Sequence, residues 1–258
     1  MSAQVIAISL QKGGVGKTTT SVNLSASLAL SGSRVLLVDL DPQGNATMGS
    51  GVDKSALDHS VYDWLVSGTA LDAVIRRCQA GYDLVPGGAD LTAAEIELLN
   101  QPRREYRMRE SVSAARSNYD FVLIDCPPSL NILTLNALVA SDSVLIPMQC
   151  EYFALEGLSS LLETIEGVRA TVNPALAVEG LLRTMYDPRN SLTRDVSRQL
   201  IKHFGDRVFR TVIPRNVRLA EAPSHGLPVI LYDRHSRGAV AYMALAGEIR
   251  RKQPGSGT

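Results

Sequence analysis

An apolar run, Val5-Ile6-Ala7-Ile8, leads into Gln11-Lys12-Gly13-Gly14-Val15-Gly16-Lys17-Thr18-Thr19-Thr20, and a helical pattern follows at once. A strand that breaks into a glycine-rich loop and restarts as a helix leaves the chain few choices. The loop must turn sharply and leave its backbone N–H groups open to an anion at the helix N-terminus. Phosphate recognition needs closely approaching donors, supplied by Gly13, Gly14 and Gly16. It also needs a cation, Lys17, and a hydroxyl for Mg²⁺, Thr18, with Val15 and Thr19 completing the cradle. The segment reads as a nucleoside triphosphate site. The general pattern G-x-x-x-x-G-K-[ST] asks for glycine at position 11, where this chain has Gln11, and the chain carries an additional lysine, Lys12.

The remaining pattern fits this opening. Short apolar runs at residues 5–9, 34–39, 121–125, 143–147 and 180–185 are rich in Val, Ile and Leu with little alternation, as strands covered on both faces should be. Residues 84–86 and 212–213 are weaker strand candidates. The first helix is predicted over residues 18–31, with Gly32 just beyond its end. These segments imply an α/β fold, a single doubly wound, mostly parallel sheet with helices on both faces. Residues 1–252 are expected to form one P-loop ATPase domain and residues 253–258 a frayed tail. The three cysteines, Cys78, Cys126 and Cys150, have no metal-ligand spacing and cannot all pair, which favours a reducing cytoplasm. Neither a signal peptide nor an apolar stretch long enough to span a bilayer is present, so no membrane attachment is expected.

Ligands in such sheets gather at the carboxyl ends of the strands. Those ends are acidic here: VDLDPQGN supplies Asp39 and Asp41, and IDCPPS supplies Asp125. Carboxylates beside a P-loop can hold Mg²⁺, directly or through water, and orient an attacking water, although any one of them could instead cap a turn. Charge is segregated as well. The whole chain is formally neutral, yet residues 183–252 hold fourteen Lys/Arg and six Asp/Glu. Such clustering is the footprint of a polyanion or of solvated helix faces. Arg103, Arg104, Arg107 and Arg109 form a second cluster, interleaved with Glu105 and Glu110, that reads as an ion-paired helix.

KGGVGKT headed by a lysine resembles the deviant Walker A box of the ParA/MinD family of ATPases, and the likeness runs from Val5 to about Arg250. VDLDPQGN resembles that family's second acidic motif and IDCPPS its Walker B segment. TVIPRNVRLAEAPSHGLPVI, residues 211–230, is characteristic of the short chromosomal ParA branch, also called Soj. The resemblance implies ATP and Mg²⁺ as cofactors, a homodimer formed with ATP, and Lys12 reaching across it to the partner's nucleotide. By the same resemblance Lys17 grips phosphate, Asp41 positions or activates the hydrolytic water, and Thr18, Asp39 and Asp125 serve the magnesium shell. Pro214 and Asn216 become adenine contacts. No N-K-x-D or T-K-x-D stretch of the guanine-reading kind occurs.

For the basic third the resemblance implies sequence-independent contacts to duplex DNA by the paired, ATP-bound form, through Arg218, Arg189, Arg215, Lys202, Arg234 and Arg237. It further implies slow hydrolysis stimulated by a ParB-type centromere-binding partner, nucleoid association, and a role in chromosome or plasmid partition. Two departures refine it. The P-loop starts about ten residues from the beginning of the sequence, so the helix-turn-helix domain of larger plasmid relatives is not expected. The end, AYMALAGEIRRKQPGSGT, has Gly247 interrupting a weakly apolar stretch, unlike the membrane-binding helix of the MinD branch. Iron–sulfur chemistry lacks the cysteines it would need. A relative that positions a protein cargo on the nucleoid, or a metabolic ATPase without DNA, are the competing readings.

Overall fold

The computed structural model describes residues 2–152 and 154–252. Its centre is one eight-stranded sheet: β1 (Gln4–Ile8), β2 (Val35–Asp39), β3 (Arg76–Arg77), β4 (Asp83–Val85), β5 (Phe121–Asp125), β6 (Ser143–Gln149), β7 (Ala177–Tyr186) and β8 (Val208–Pro214). The strand order is β3-β4-β2-β5-β1-β6-β7-β8. All neighbours are parallel except β3, which lies antiparallel on β4.

The central strands are apolar throughout because alternate side chains enter two different cores. Val5, Ala7, Leu36, Val38, Val122 and Ile124 point to one face, where they meet the helices Leu91–Leu99, Arg107–Ala115, Ile132–Ala140, Ala154–Thr171 and Ser191–Phe204. Ile6, Ile8, Val35, Leu37, Phe121 and Leu123 point to the other. There the helices Lys17–Leu30 and Arg237–Lys252 cover them with Leu24, Leu28, Tyr242, Leu245 and Ile249.

The first helix runs Lys17–Leu30, one residue earlier at each end than the sequence pattern predicts. Gly32 follows with φ of 89°, and the N–H groups of Gly32 and Ser33 donate back to Ala29 and Leu28, so the left-handed glycine closes the helix as anticipated. All five main strand runs form, as do both weaker ones. Strand β7 starts three residues sooner than its run, and the two-residue β3 carries no apolar signal. Gly247 does not interrupt the last helix. That helix is continuous over Arg237–Lys252, because Tyr242, Leu245, Ala246 and Ile249 are fully packed on the sheet. Around Arg103 the helix starts only at Arg107, after a 3₁₀ turn over Arg104–Tyr106, and Glu110 pairs with both Arg103 and Arg107. The expected tail, residues 253–258, lies outside the described residues. Among the described residues no helix is long and apolar enough to cross a membrane.

Two features at the sheet margins bear on the site. The Glu248 carboxylate, on the last helix, accepts from the backbone N–H groups of Arg210 and Thr211 in the edge strand β8, at 2.8 and 3.0 Å. Beyond β4, Gly87 packs its backbone against the end of β2, where a Cβ would sit 2.3 Å from the Asp39 carbonyl oxygen. Gly87→Ala is therefore expected to destabilise the chain by about 2–3 kcal/mol through overpacking. Gly247→Ala, whose Cβ meets only Arg251 Nη1 at 3.5 Å, should instead stabilise it by about 0.5–1 kcal/mol. Urea midpoints of the two variants check both signs.

Candidate nucleotide site and basic surface

β1 lies between β5 and β6, so the loop after β1 emerges at the middle of the sheet's carboxyl edge. Residue Gly16 caps the first helix in a left-handed conformation, φ 88°, with no side-chain cap and no acidic residue in the first turn. The helix's first N–H groups are thus left for an anionic ligand. Neighbouring strand ends brace the loop from below: Thr184 Oγ1 donates to Val15 O at 2.8 Å, and Gln149 Nε2 to Gly14 O at 3.2 Å. Lys17 is buried and its Nζ donates to Lys12 O at 2.8 Å, folded back over the loop. Burial lowers its pKa, while Asp125 opposes that shift.

Two adjoining cavities open on this loop. One, of about 340 Å³, is lined by Gly13, Gly14, Lys17, Thr18, Asp41 and Pro128, among others. The second, of about 180 Å³, is lined by Thr184, Ile213, Pro214, Asn216, Leu219 and Tyr242. Gly16, Thr19 and Met185 line both, which makes them two arms of one cleft: a polar arm at the helix N-terminus and a more apolar arm beside it. A nucleotide has the same division, phosphates at one end and base at the other. In the apolar arm the buried Asn216 Oδ1 has no donor among the described residues, an acceptor suited to an exocyclic amino group such as adenine's.

The three aspartates occupy distinct environments. Parallel register sets Asp39 of β2 directly beside Asp125 of β5. Asp39 is fully buried and already satisfied, since its Oδ2 accepts from the N–H and the hydroxyl of Thr47, both at 2.7 Å, and its Oδ1 from Asp41 N. Asp125 accepts from Ser21 Oγ at 2.8 Å, but its Oδ2 is buried without a donor among the described residues. Burial above all, and then the Asp39 charge for Asp125, pushes both carboxyls well above the usual carboxylate range. A cation relieves that strain, and the Asp125 carboxyl, with one oxygen unused and the Thr18 hydroxyl beside it, fits the hydration shell of Mg²⁺. No cluster of three His, Cys, Asp or Glu ligands occurs among the described residues, so such an ion would rest on hydroxyl, carboxylate and phosphate oxygens. Asp41 alone of the three faces the polar arm, its Oδ1 fixed by Gln43 N at 3.0 Å.

Lys12, next to Gly13 of the polar arm, is half-buried, with its Nζ 3.4 Å from a Glu151 carboxylate oxygen of the same chain. Of the six basic residues, the structure gathers three: Arg189, Arg215 and Arg237 line a cavity of about 300 Å³ together with Tyr186, Asp187 and Pro214. Arg218 lies apart from it, paired with Glu221 at 2.8 Å and Asp233 at 3.4 Å, while exposed Lys202 and Arg234 do not line it either. Sequence reasoning missed Thr184, Met185 and Tyr242. The first two end β7, so the same rule that singled out the aspartates at strand ends could have found them. Tyr242 has no local signal, being brought in by a helix packed against Lys17–Leu30, where its hydroxyl meets Thr20 Oγ1 at 3.1 Å. Cys126 is fully buried, and burial raises its thiol pKa, in keeping with a small core filler.

Comparison with known proteins agrees with this geometry. Residues 3–178 match an AAA domain family. The sporulation initiation inhibitor protein Soj of Bacillus subtilis is 54% identical over 247 residues, covering 95% of this chain and 98% of its own. The chromosome partitioning protein ParA of Caulobacter vibrioides is 51% identical over 249 residues, covering 95% and 93%. Among solved structures, cobyrinic acid a,c-diamide synthase from Mycobacterium smegmatis with bound ADP and magnesium superposes with a TM-score of 0.85 at 38% identity, over 96% of this chain and 94% of that one. A headed P-loop at the sheet centre, an aspartate facing the phosphate arm and identity of half or more with partitioning proteins over nearly the whole length place this chain in the ParA/Soj family of chromosome-partitioning ATPases.

Proposed function

We propose that the chain is an ATP-timed DNA-binding switch, with residues 1–252 acting as one ATPase unit. The observation that carries the reading is the segment Pro214-Arg215, which lines both the apolar arm of the nucleotide cleft and the arginine-lined cavity beside it. An occupant of the first would lie against the same two residues that line the second.

In this reading ATP lies along the two arms, its phosphates on the N–H groups of residues 13–19 and on Lys17, its adenine against Pro214 and Asn216. Mg²⁺, when bound at Thr18 and Asp125, neutralises charge on the phosphate oxygens; Asp39 supports that shell indirectly by holding the β2 end beside Asp125. Asp41 accepts a hydrogen bond from the attacking water and aims it at the terminal phosphate. Lys12 exchanges Glu151 for the nucleotide of a second copy, so ATP stabilises a homodimer in a way that ADP does not. Pairing sets two basic surfaces side by side, with Arg189, Arg215, Arg237, Arg218, Lys202 and Arg234 contacting phosphates of duplex DNA. Phosphate contacts carry no base information, so binding is sequence-independent. Hydrolysis is slow until a ParB-type partner stimulates it, and the protein cycles on and off the nucleoid in the cytoplasm to partition a chromosome or plasmid.

Duplex binding by the Asp41→Ala protein, measured with ATP, ADP and no nucleotide, tests this. Binding is expected with ATP alone, on unrelated sequences, with an affinity falling about tenfold or more between 50 and 200 mM salt. Arg218→Glu is expected to abolish that binding while ATP binding and pairing persist. Equal DNA binding with and without ATP, or none in any state, would discard the switch.

A further inference from the structure

A cavity of about 710 Å³ opens where the end of the Ser191–Phe204 helix, the start of β8 and the end of the Arg237–Lys252 helix converge. It shares no lining residue with either arm of the nucleotide cleft or with the Arg189–Arg215–Arg237 cavity. Its lining includes four cations, Arg183, Arg210, Arg251 and Lys252, and two carboxylates, Asp206 and Glu248.

Arg183 is the unusual member. On β7 it is only 8% exposed, yet it makes no ion pair among the described residues. Its Nη1 donates to Ser197 Oγ at 2.9 Å, and its Nη2 to the carbonyls of Phe209 and Arg210 at 2.8 and 3.2 Å; its Nε has no acceptor among the described residues. Those neutral acceptors, with the centre of the Tyr186 ring 6.0 Å from the guanidinium carbon, explain where the guanidinium sits, beside an irregularity in the β7–β8 ladder, but none of them carries a formal counter-charge. A buried cation without a counter-charge is costly. The Glu248 carboxylate favours that charge from a distance, but its oxygens accept from β8 N–H groups rather than pairing with Arg183, and burial outweighs it. Lys252 is pinned at the same cavity, its Nζ donating to Glu179 O at 2.9 Å and lying 4.2 Å from the centre of the Phe209 ring. Exposed Arg210 and Arg251 stand at the rim.

We propose that this cavity is a second ligand site, one that takes a phosphate-class oxyanion, with Arg183 setting a fixed positive charge at its floor and Arg210 and Arg251 closing on the anion from the rim. The volume exceeds what one phosphate fills, and Ile201, 47% exposed, adds an apolar wall. The ligand is therefore a phosphate group attached to something larger, either a phosphorylated small molecule or the backbone of a nucleic acid.

The test uses the full chain with its P-loop saturated by Mg-ADP, titrated with inorganic phosphate against chloride at equal ionic strength, while arginine Nε–H resonances are followed by NMR. The Arg183 Nε–H signal is expected to shift saturably with phosphate and not with chloride. Arg210→Ala, an exposed change that leaves folding and ADP binding intact, is expected to weaken that response about fivefold. An Arg183 signal indifferent to phosphate, an equal response to chloride, or an unchanged affinity in Arg210→Ala overturns the site. Adding duplex DNA to the Asp41→Ala protein with ATP then separates the sources. Displacement of phosphate by DNA supports the site with the nucleic acid backbone as ligand, and undisturbed phosphate supports it with a free phosphorylated molecule. The phosphate titration needs neither DNA nor pairing, so its failure and the failure of the switch are distinguishable.

Discussion

Lys17→Ala is expected to weaken ATP binding by about 10²–10⁴-fold, as two lost charge-assisted hydrogen bonds of about 1.5–3 kcal/mol each would do. The ammonium is held over the loop by Lys12 O and is largely removed from water. It is the buried cation of the phosphate arm, and backbone N–H groups alone cannot replace its full charge. The variant should stay folded, because Nζ donates to a loop carbonyl that regains water. Equilibrium binding of a fluorescent ATP analogue, with circular dichroism as the control for folding, measures the effect. An affinity within threefold of the unsubstituted chain would remove Lys17 from the site.

Asp41→Ala is expected to bind ATP almost normally and to lose about 10²–10⁴-fold in hydrolysis, the usual contribution of a positioned general base or water-orienting group. The structure separates this residue from Asp39, two positions earlier. Among the described residues the Asp39 carboxylate is bonded to Thr47 and Asp41 N in the interior, whereas the Asp41 carboxylate accepts only from the Gln43 N–H and otherwise faces the phosphate arm. Removing Asp41 therefore opens one local turn and leaves the packing behind it. Single-turnover hydrolysis and light scattering of the ATP-loaded variant would report the outcome. The expected product is a persistent ATP-bound dimer, and hydrolysis at the normal rate would pass the role to another group.

Much of this was legible in the residues themselves. Strands β1, β2, β5, β6 and β7 are continuous apolar runs because each is sandwiched, and glycines with a lysine and threonine at fixed spacing can make little else than a phosphate loop. The family likeness supplied the roles that spacing does not, above all for Lys12 and Asn216. What stayed hidden depends on pairing at long range. Strand β3 is two arginines that qualify only because β4 lies alongside. Tyr242 reaches the cleft through a helix more than two hundred residues away, and Gly247 looked like a break because the helix around it is held by tertiary packing rather than by propensity. Arg183 read as one more charge in a basic segment; only burial distinguishes it from its exposed neighbours. The clustering of Arg189, Arg215 and Arg237, and the separation of Arg218 from them, likewise follows from where three strand and helix ends meet.

The Glu248 carboxylate that covers two N–H groups of β8 has a counterpart at the other margin of the sheet, where β3 offers only two residues. Open sheets can grow by recruiting a strand from another molecule, and such growth is slow to reverse because each added strand brings a ladder of backbone bonds. With two N–H groups of one border covered by a side chain and the other border cut short, strand addition is disfavoured, which directs the proposed pairing to side-chain surfaces instead. Contacts of that kind can be made and dissolved quickly, which suits the proposed cycle of pairing and release.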